Sequence, residues 1–424
     1  MRHEARCSMT RVVVVDGFSS GKFVAQRLND AGCVLMHVAS SEGLDSYYYK
    51  GFERSIYEQM MVNADSCATL ASVERFKPQF IIAGAETGVL LADQLNDHFQ
   101  LPYRNAIDKS TARRNKYEMI QCITQAQLPA ARQFLVDSWQ LAKGWINDHG
   151  RFPVVIKPVE SAGADGVFIC DDLKACQVAI GKLLGTTNKL NIANTQVLIQ
   201  EYLAGVEYVV NMVSLDGEQL VTEVVRYQKQ RTATGGVLYD IDELISCDCA
   251  EYFLLVDYTR AVVRSLGVRN GPTHAEVMLT EDGPKLVEIA ARTDGILRPD
   301  VCGETTGLGQ IEAVVLSITA PDVFAQWLAR PFDYRRLRHT YNVCLISHAQ
   351  GRFKKDLFLG ELLKLESFFD AAFYVEEGQP IGVTQDVFSQ PGTVYLVHAD
   401  PGVIAADYRR IRVLEAQGAY LAAG

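Results

Sequence analysis

The sequence predicts an α/β protein with α+β parts, in which a doubly wound parallel sheet at the N-terminus is followed by antiparallel hairpins. Three observations predict it. Residues 12–16, VVVVD, form a continuous apolar run; the turn GFSSG follows, and then a stretch with Phe23, Val24, Leu28 and Ala31 on one side, which reads as strand, turn and helix. Apolar stretches at 33–38 and 80–83 extend that unit as a second and a third strand. Two later segments, 152–170 and 271–295, alternate apolar and polar residues on either side of glycine-bearing turns, as hairpins do.

A chain of 424 residues that is 48% hydrophobic can bury large cores and should hold two or three domains. The net charge of -10, with no run of Lys or Arg, argues against a nucleic-acid partner and for small-molecule substrates. Ten cysteines occur without a C-x-x-C pair, and Cys247 and Cys249 lack a partner pair at zinc-site spacing. They read as reduced thiols of a cytoplasmic protein. No apolar run approaches the roughly 20 residues of a membrane span, and residues 1–10 lack the apolar core of a signal peptide.

Taken in order, the turn 17–21 matches the G-x-S-x-G nucleophile elbow, with Ser19 as nucleophile. An elbow follows several strands, whereas this one follows the first, and the same glycines serve equally for a tight turn at a helix N-terminus. It is not a phosphate-binding P-loop, because Phe23 follows Lys22 where a hydroxyl is required. Glu86 ends the strand 80–83 at the edge where such sheets bind ligands, so it can meet a substrate amine or cap the helix beginning near Val89. Residues 109–125 read as a helix containing Lys116.

In the first hairpin Val155 and Lys157 share a face of the strand 153–158, and the loop 161–166, with Ser161, Gly163 and Gly166, is small enough for backbone amides to approach phosphate oxygens. It is equally an ordinary hairpin tip. Residues 195–213 are two apolar runs broken by EYLAGVE, either a domain linker or a hinge whose backbone reads a flat base edge, with Glu207 accepting from ribose hydroxyls.

The second hairpin is the most telling. A loop centred on Asp282 sets Glu276 opposite Glu288 and His274 opposite Ala290, with Leu286, Glu288, Ala290 and Arg292 on one face and Val287, Ile289 and Ala291 on the other. Two carboxylates directly opposed on a sheet repel, unless both are solvated or a hard cation such as Mg2+ lies between them.

The order of these features resembles the ATP-grasp superfamily of carboxylate-amine ligases over roughly residues 12–295. The opening VVVVDGFSSG and the segments EGQPI and PGTVYLVH at 377–381 and 391–398 look most like the L-amino-acid ligases that make dipeptides. The resemblance implies an ATP-grasp fold: an N-terminal doubly wound domain over 1–112, a small α+β lid region over 113–205, and a larger C-terminal antiparallel-sheet domain over 206–424. ATP and Mg2+ are the implied cofactors. Lys116 and Lys157 would contact phosphates, residues 161–166 would form the phosphate loop, Glu201, Tyr202 and Leu203 would meet adenine, and Glu207 the ribose. Glu276 and Glu288 would hold Mg2+, and Arg292 would face the transferred phosphate and the tetrahedral adduct. The superfamily reads E-x-N after the second metal strand. Here the last position is Ala290, which cannot ligate, so water or His274 would take that place.

The implied chemistry activates a carboxylate as an acylphosphate and then joins it to an amine, with the loop closing against water. Arg226 with the loop 227–236, and Arg298 with the segment 296–307, are the expected substrate contacts. Residues 341–424 read as β-rich with a helix at 406–417, packed on the C-terminal sheet and contributing to a homodimer interface. The alternatives are a bicarbonate-dependent carboxylase with the same nucleotide site, a serine hydrolase using Ser19, and a non-catalytic nucleotide binder.

Overall fold

Both faces of β1 (Arg11–Val15) are covered, which is why its sequence does not alternate: Val12 and Val14 enter one core and Val13 and Val15 another. The computed structural model describes residues 9–42, 49–161, 166–188, 191–231, 237–296, 298–385 and 387–422. Parallel strands β2 (Val34–Ala39), β3 (Tyr57–Val62) and β4 (Phe80–Ala83) join β1 in the order β3-β2-β1-β4. The helices of this unit are α1 (Gly21–Asp30), α2 (Ser66–Phe76) and α3 (Val89–His98). Strand β3, YEQMMV, is absent from the sequence reading because it is a largely exposed edge strand with no apolar run to mark it.

The expected helix over 109–125 begins later. Two short 3-10 turns, Ile107–Lys109 and Thr111–Arg113, precede α4 (Lys116–Gln125), which starts where Asn115 Oδ1 accepts from the amides of Tyr117 and Glu118 at 3.1 and 3.0 Å. Its Met119, Ile120 and Ile123 pack into the core beneath the large sheet.

A second, antiparallel sheet is built from β5 (Gln133–Val136), β6 (Val154–Pro158), β7 (Phe168–Cys170) and β8 (Val197–Glu201), ordered β5-β8-β6-β7. Helices α5 (Trp139–His149) and α6 (Leu173–Leu183) cover one face with a core of their own, where Ile146 and Ile180 meet Val154, Ile156 and Ile199. The other face, bearing Val155, Lys157 and Ile169, is left to a cleft.

The third unit is an eight-stranded sheet. It runs through β9 (Gly205–Leu215), β10 (Glu218–Arg231), β11 (Val237–Leu244), helix α7 (Ala250–Ser265), β12 (Gly271–Thr280) and β13 (Gly283–Ala290). Helices α8 (Pro299–Thr306), α9 (Gln310–Thr319) and α10 (Pro321–Leu328) follow, then β14 (His339–Cys344), β15 (Gly351–Phe353), α11 (Lys355–Leu362), β16 (Phe368–Phe373), β17 (Pro380–Ile381), β18 (Gly392–His398), α12 (Pro401–Ala416) and β19 (Leu421–Ala422). The sheet order is β13-β12-β9-β10-β11-β14-β18-β16, and β17-β15-β19 form a small separate sheet. Residues 341–424 therefore supply three strands of the large sheet itself, and α12 starts five residues before the expected helix, at Pro401, where Asp400 Oδ1 accepts from the Gly402 amide at 2.7 Å. Helix α7 buries one face of the sheet; on the other, α9 joins Val213 and Leu220 to Val24 and Leu28 of α1. The N-terminal unit is thereby docked on the sheet face that carries the functional side chains.

The hairpin β12–β13 keeps the expected pairs, His274 with Ala290 and Glu276 with Glu288, but a bulge follows Glu276 and the next pair is Val277 with Leu286. The expected faces are corrected by that extra residue. Leu286 is fully buried in the core under α7, and Val287 lines the cleft beside Glu288. The expected loop over 227–236 is corrected as well, since β10 continues through Arg231; residues 232–236 lie outside the described residues.

Candidate active site

Strand register puts Glu276, Glu288 and Glu223 of the large sheet on one face. Glu288, Glu276, Val209, Val225 and Leu244 form a row across five strands. A neighbouring row on the same face holds Ala290, His274, Asn211 and Glu223. Between this face and the lid-like sheet opens a cleft of about 750 Å3, in the size range of small-molecule sites.

Two lysines stand at its inner end. Asn115 caps α4 so that Lys116 is its first residue, and the Lys116 amide donates to Val159 O at 3.0 Å, tying the helix start to the end of β6. Its Nζ donates to Ser161 O at 3.0 Å and to Glu288 Oε1 at 2.9 Å. Lys157, from β6, is 4% exposed; burial, then the Lys116 charge, brings its ammonium down to about 8. Gly166 has φ +70, and a Cβ there would lie 2.8 Å from Leu183 and 2.9 Å from Pro158, so this end of the loop requires glycine. Gly163 lies outside the described residues.

The connection between β8 and β9 lines the outer end. Glu201, Tyr202, Leu203 and Glu207 all face the cleft, with apolar Val155, Ile169, Met278 and Val287 around them. Lys285 Nζ is 3.4 Å from Glu201 Oε1, and Lys229 Nζ donates to Glu207 Oε1 at 2.7 Å. Burial raises the Glu207 carboxyl, and Lys229 opposes the shift. Sequence reasoning missed Lys229 and Gln200. The Gln200 Nε2 is buried without a partner on the cleft wall, a donor that no spacing rule would single out.

Glu276 and Glu288 offer hard carboxylate oxygens from adjacent strands, and among the described residues no group of three or more His, Cys, Asp or Glu is placed to hold a metal ion. Two carboxylates without a protein cage suit Mg2+, which keeps waters and takes substrate phosphates as its remaining ligands. The residues present therefore fit that ion. Burial opposes ionising Glu276, but His274, Lys229 and Lys116 hold its carboxyl down to about 2. The His274 ring is itself engaged, with Nδ1 3.0 Å from Asn211 Oδ1 and 3.4 Å from Asp294 Oδ2, and Nε2 3.7 Å from Glu276 Oε1.

Glu86 is paired with arginines. Its Oε1 accepts from Arg114 Nη1 at 2.6 Å and its Oε2 from Arg292 Nε at 3.1 Å. Burial would raise that carboxyl, but the two guanidinium groups bring it below the usual range. Arg292 also donates to Thr293 O at 2.9 Å, and Ser20 of the N-terminal turn contacts the same carbonyl at 3.2 Å. The turn 17–21 is thus a docking element against the segment after β13, and the Gly17 amide donates to His37 Nε2 at 3.2 Å, which leaves that nitrogen to the backbone.

The two expected substrate arginines are separated. Arg298 lies beside a second cavity and pairs with Asp370 at 2.6 Å. Arg226 shares its row with Tyr208, Glu243 and Tyr341, on the opposite face of the sheet from Glu276, and its guanidinium is bonded to Glu243 at the rim of the cleft. Among the described residues no helix is long and apolar enough to cross a membrane.

Residues 150–300 match the family model described as an ATP-grasp domain. The chain is 32% identical over 408 residues to dapdiamide A synthase of Enterobacter agglomerans, covering 96% of each chain. It is 23% identical to phosphoribosylamine–glycine ligase of Listeria monocytogenes over 54% of this chain and 57% of that one. Among solved structures, an L-amino acid ligase from Bacillus licheniformis superposes with a TM-score of 0.73 at 17% identity, covering 95% of this chain and 97% of the other. The N5-carboxyaminoimidazole synthase of Aspergillus clavatus, solved with ADP, superposes with a TM-score of 0.70 at 13% identity over 96% and 99% of the two chains. A hairpin that opposes two carboxylates below two buried lysines, in a chain that matches one such ligase over nearly its whole length, places this protein in the ATP-grasp family as an ATP-dependent carboxylate-amine ligase.

Proposed function

We propose that the enzyme is of the peptide-synthase type, joining an amino acid or amino-acid-like acid to a second amino acid, with release of ADP and phosphate. The observation that carries this reading is the pair Glu276 and Glu288, facing each other on the cleft with Lys116 on the second of them. Support for the subtype comes from the whole-length likeness to dapdiamide A synthase.

Lys116 and Lys157 bind the phosphates, with the phosphate loop expected over 161–166, of which 162–165 lie outside the described residues. Glu201, Tyr202 and Leu203 seat the adenine, and Glu207 the ribose. Glu276 and Glu288 hold Mg2+, which when bound neutralises phosphate charge. Water is the substitute for the side chain missing at Ala290, because the His274 nitrogens already serve Asn211, Asp294 and Glu276. A carboxylate oxygen of the acid substrate attacks the γ-phosphorus as the bond to ADP breaks. The amine nitrogen then attacks the acyl carbon, the bond to phosphate breaks, and the nitrogen loses a proton. Arg292, oriented by Glu86, faces the oxygens that gain charge in both steps. Closing the lid over 113–205 against the 206–424 domain excludes water from the acylphosphate.

Arg298 is the proposed partner of a substrate carboxylate, and Arg226 acts from the rim of the cleft. A homodimer belongs to the same proposal, supported by the end position of β16, whose outer edge pairs with no strand among the described residues.

The test is a pairwise screen of amino acids for phosphate release, with the product mass measured. A new mass equal to two substrates less water confirms the reading. ADP release that needs bicarbonate in place of an amino acid selects a carboxylase instead.

A further inference from the structure

A second cavity, of about 60 Å3, lies on the same sheet face as the nucleotide cleft, and Tyr227 lines both. It has room for roughly four waters or one small polar head group. Its floor is a row of directly paired residues, Tyr227, Asp242, Asn342 and Tyr395, from β10, β11, β14 and β18. Glu223, from the row that also holds His274 and Ala290, closes one side.

The polar atoms in this wall are unevenly satisfied. Asp294, which also reaches the cavity, is fully committed: Oδ2 accepts from Asn211 and lies 3.4 Å from His274, and Oδ1 accepts from the Ile296 amide. Glu223 accepts from the Gln310 amide at 3.1 Å and from the Thr222 hydroxyl. Asp242 differs. Its Oδ2 accepts from Asn342 at 2.7 Å, but its Oδ1 is buried with no partner, and so is Oγ1 of neighbouring Thr340. These residues are only 6% and 9% exposed. Each such unsatisfied acceptor costs about 1–3 kcal/mol, unless a ligand brings the donor. Burial lifts the Asp242 carboxyl to about 7 and that of Glu223 to about 8, and a cation in the cavity would lower both.

We propose that this cavity holds a protonated amine of the carboxylate-bearing substrate, with Asp242 Oδ1 and Thr340 Oγ1 accepting its N–H groups and Glu223 closing the wall beside them. The inference rests on the ligase reading and names the substrate class for it. The attacking amine must be neutral to use its lone pair, whereas an amine held among carboxylates stays protonated and cannot attack. The subsite therefore belongs to the acid partner.

The experiment uses hydroxylamine as the amine, so that the activated acid is read as its hydroxamate whatever the natural nucleophile is. Wild type, Asp242→Asn and Thr340→Val are each given ATP, Mg2+ and either an L-amino acid or its 2-hydroxy counterpart, across the common set of twenty side chains. Wild type is expected to prefer at least one amino acid over its 2-hydroxy counterpart by about 100-fold or more in kcat/KM. Asp242→Asn should shrink that preference below about tenfold, chiefly through KM, and Thr340→Val should shrink it by less. ADP affinity and melting temperature report on folding. Equal use of both acids by wild type, or undiminished preference in a folded Asp242→Asn, overturns the subsite. Hydroxamate from 2-hydroxy acids alone sinks the subsite and leaves the ligase reading standing. ADP release with no acid at all sinks both.

Discussion

Lys116 Nζ donates to Glu288 Oε1 at 2.9 Å, across the junction between the first turn of α4 and strand β13. One ion pair thus joins a proposed phosphate-binding lysine to a proposed metal-binding carboxylate, and loss of either partner exposes the role of the other.

Glu288→Ala is expected to lower kcat by roughly 1000-fold, the several kcal/mol that a metal-phosphate contact supplies in phosphoryl transfer. The melting temperature should stay within a few degrees of wild type, because this side chain points into the cleft. ADP release and thermal melting check the two halves, and full turnover in the variant would remove the metal assignment.

Lys157→Met separates binding from stability. Burial and the charge of Lys116 already disfavour the ammonium, so removing it should leave the free protein at least as stable as wild type. The KM for ATP should rise roughly tenfold or more as a phosphate contact is lost. A lower melting temperature together with unchanged ATP dependence would contradict both statements.

Glu86→Ala leaves Arg114 and Arg292 without their shared carboxylate. The expected loss is about 3 kcal/mol of stability and a tenfold or greater fall in kcat, with ATP affinity little changed. Glu86→Gln, which keeps the acceptor oxygen, should recover part of kcat. Nucleotide titration beside steady-state kinetics makes the distinction, and parallel loss of ATP binding would argue that Glu86 serves the fold alone.

Glu223 predicts a pH dependence of stability. Its folded pKa, about 8, lies above the ordinary 4.5, so the folded chain keeps an extra proton between those values. The contribution is complete below about 4.5 and is lost as pH rises through about 8. Glu223→Gln cannot ionise, so its melting temperature relative to wild type should climb from pH 5 to pH 8.5 by roughly 2 °C or more. A constant difference across that range would refute it.

Much of the site was legible because hairpin chemistry is local. The turn at Asp282 gave the opposition of Glu276 and Glu288 by counting, and lysine-strand-glycine order marked Lys116, Lys157 and Ser161, which line one cleft. What escaped has physical causes. The bulge after Glu276 exchanges the faces of Leu286 and Val287, and no local residue type announces it. Strand β3 carries no periodic signal because its side chains are largely solvated. Thr340, Asn342 and Tyr395 reach the second cavity from more than 100 residues beyond Glu223, and no spacing could connect them before the sheet was assembled.

That late arrival bears on how such an enzyme changes what it accepts. Strands β14 and β18 furnish a wall of the second cavity, and none of their residues is among those lining the larger cleft. If the second cavity selects the substrate as proposed, exchange of residues 339–398 between relatives would transplant that selectivity as one cassette, and truncation ahead of Thr340 would unroof the chamber and bare a raw backbone edge on β11.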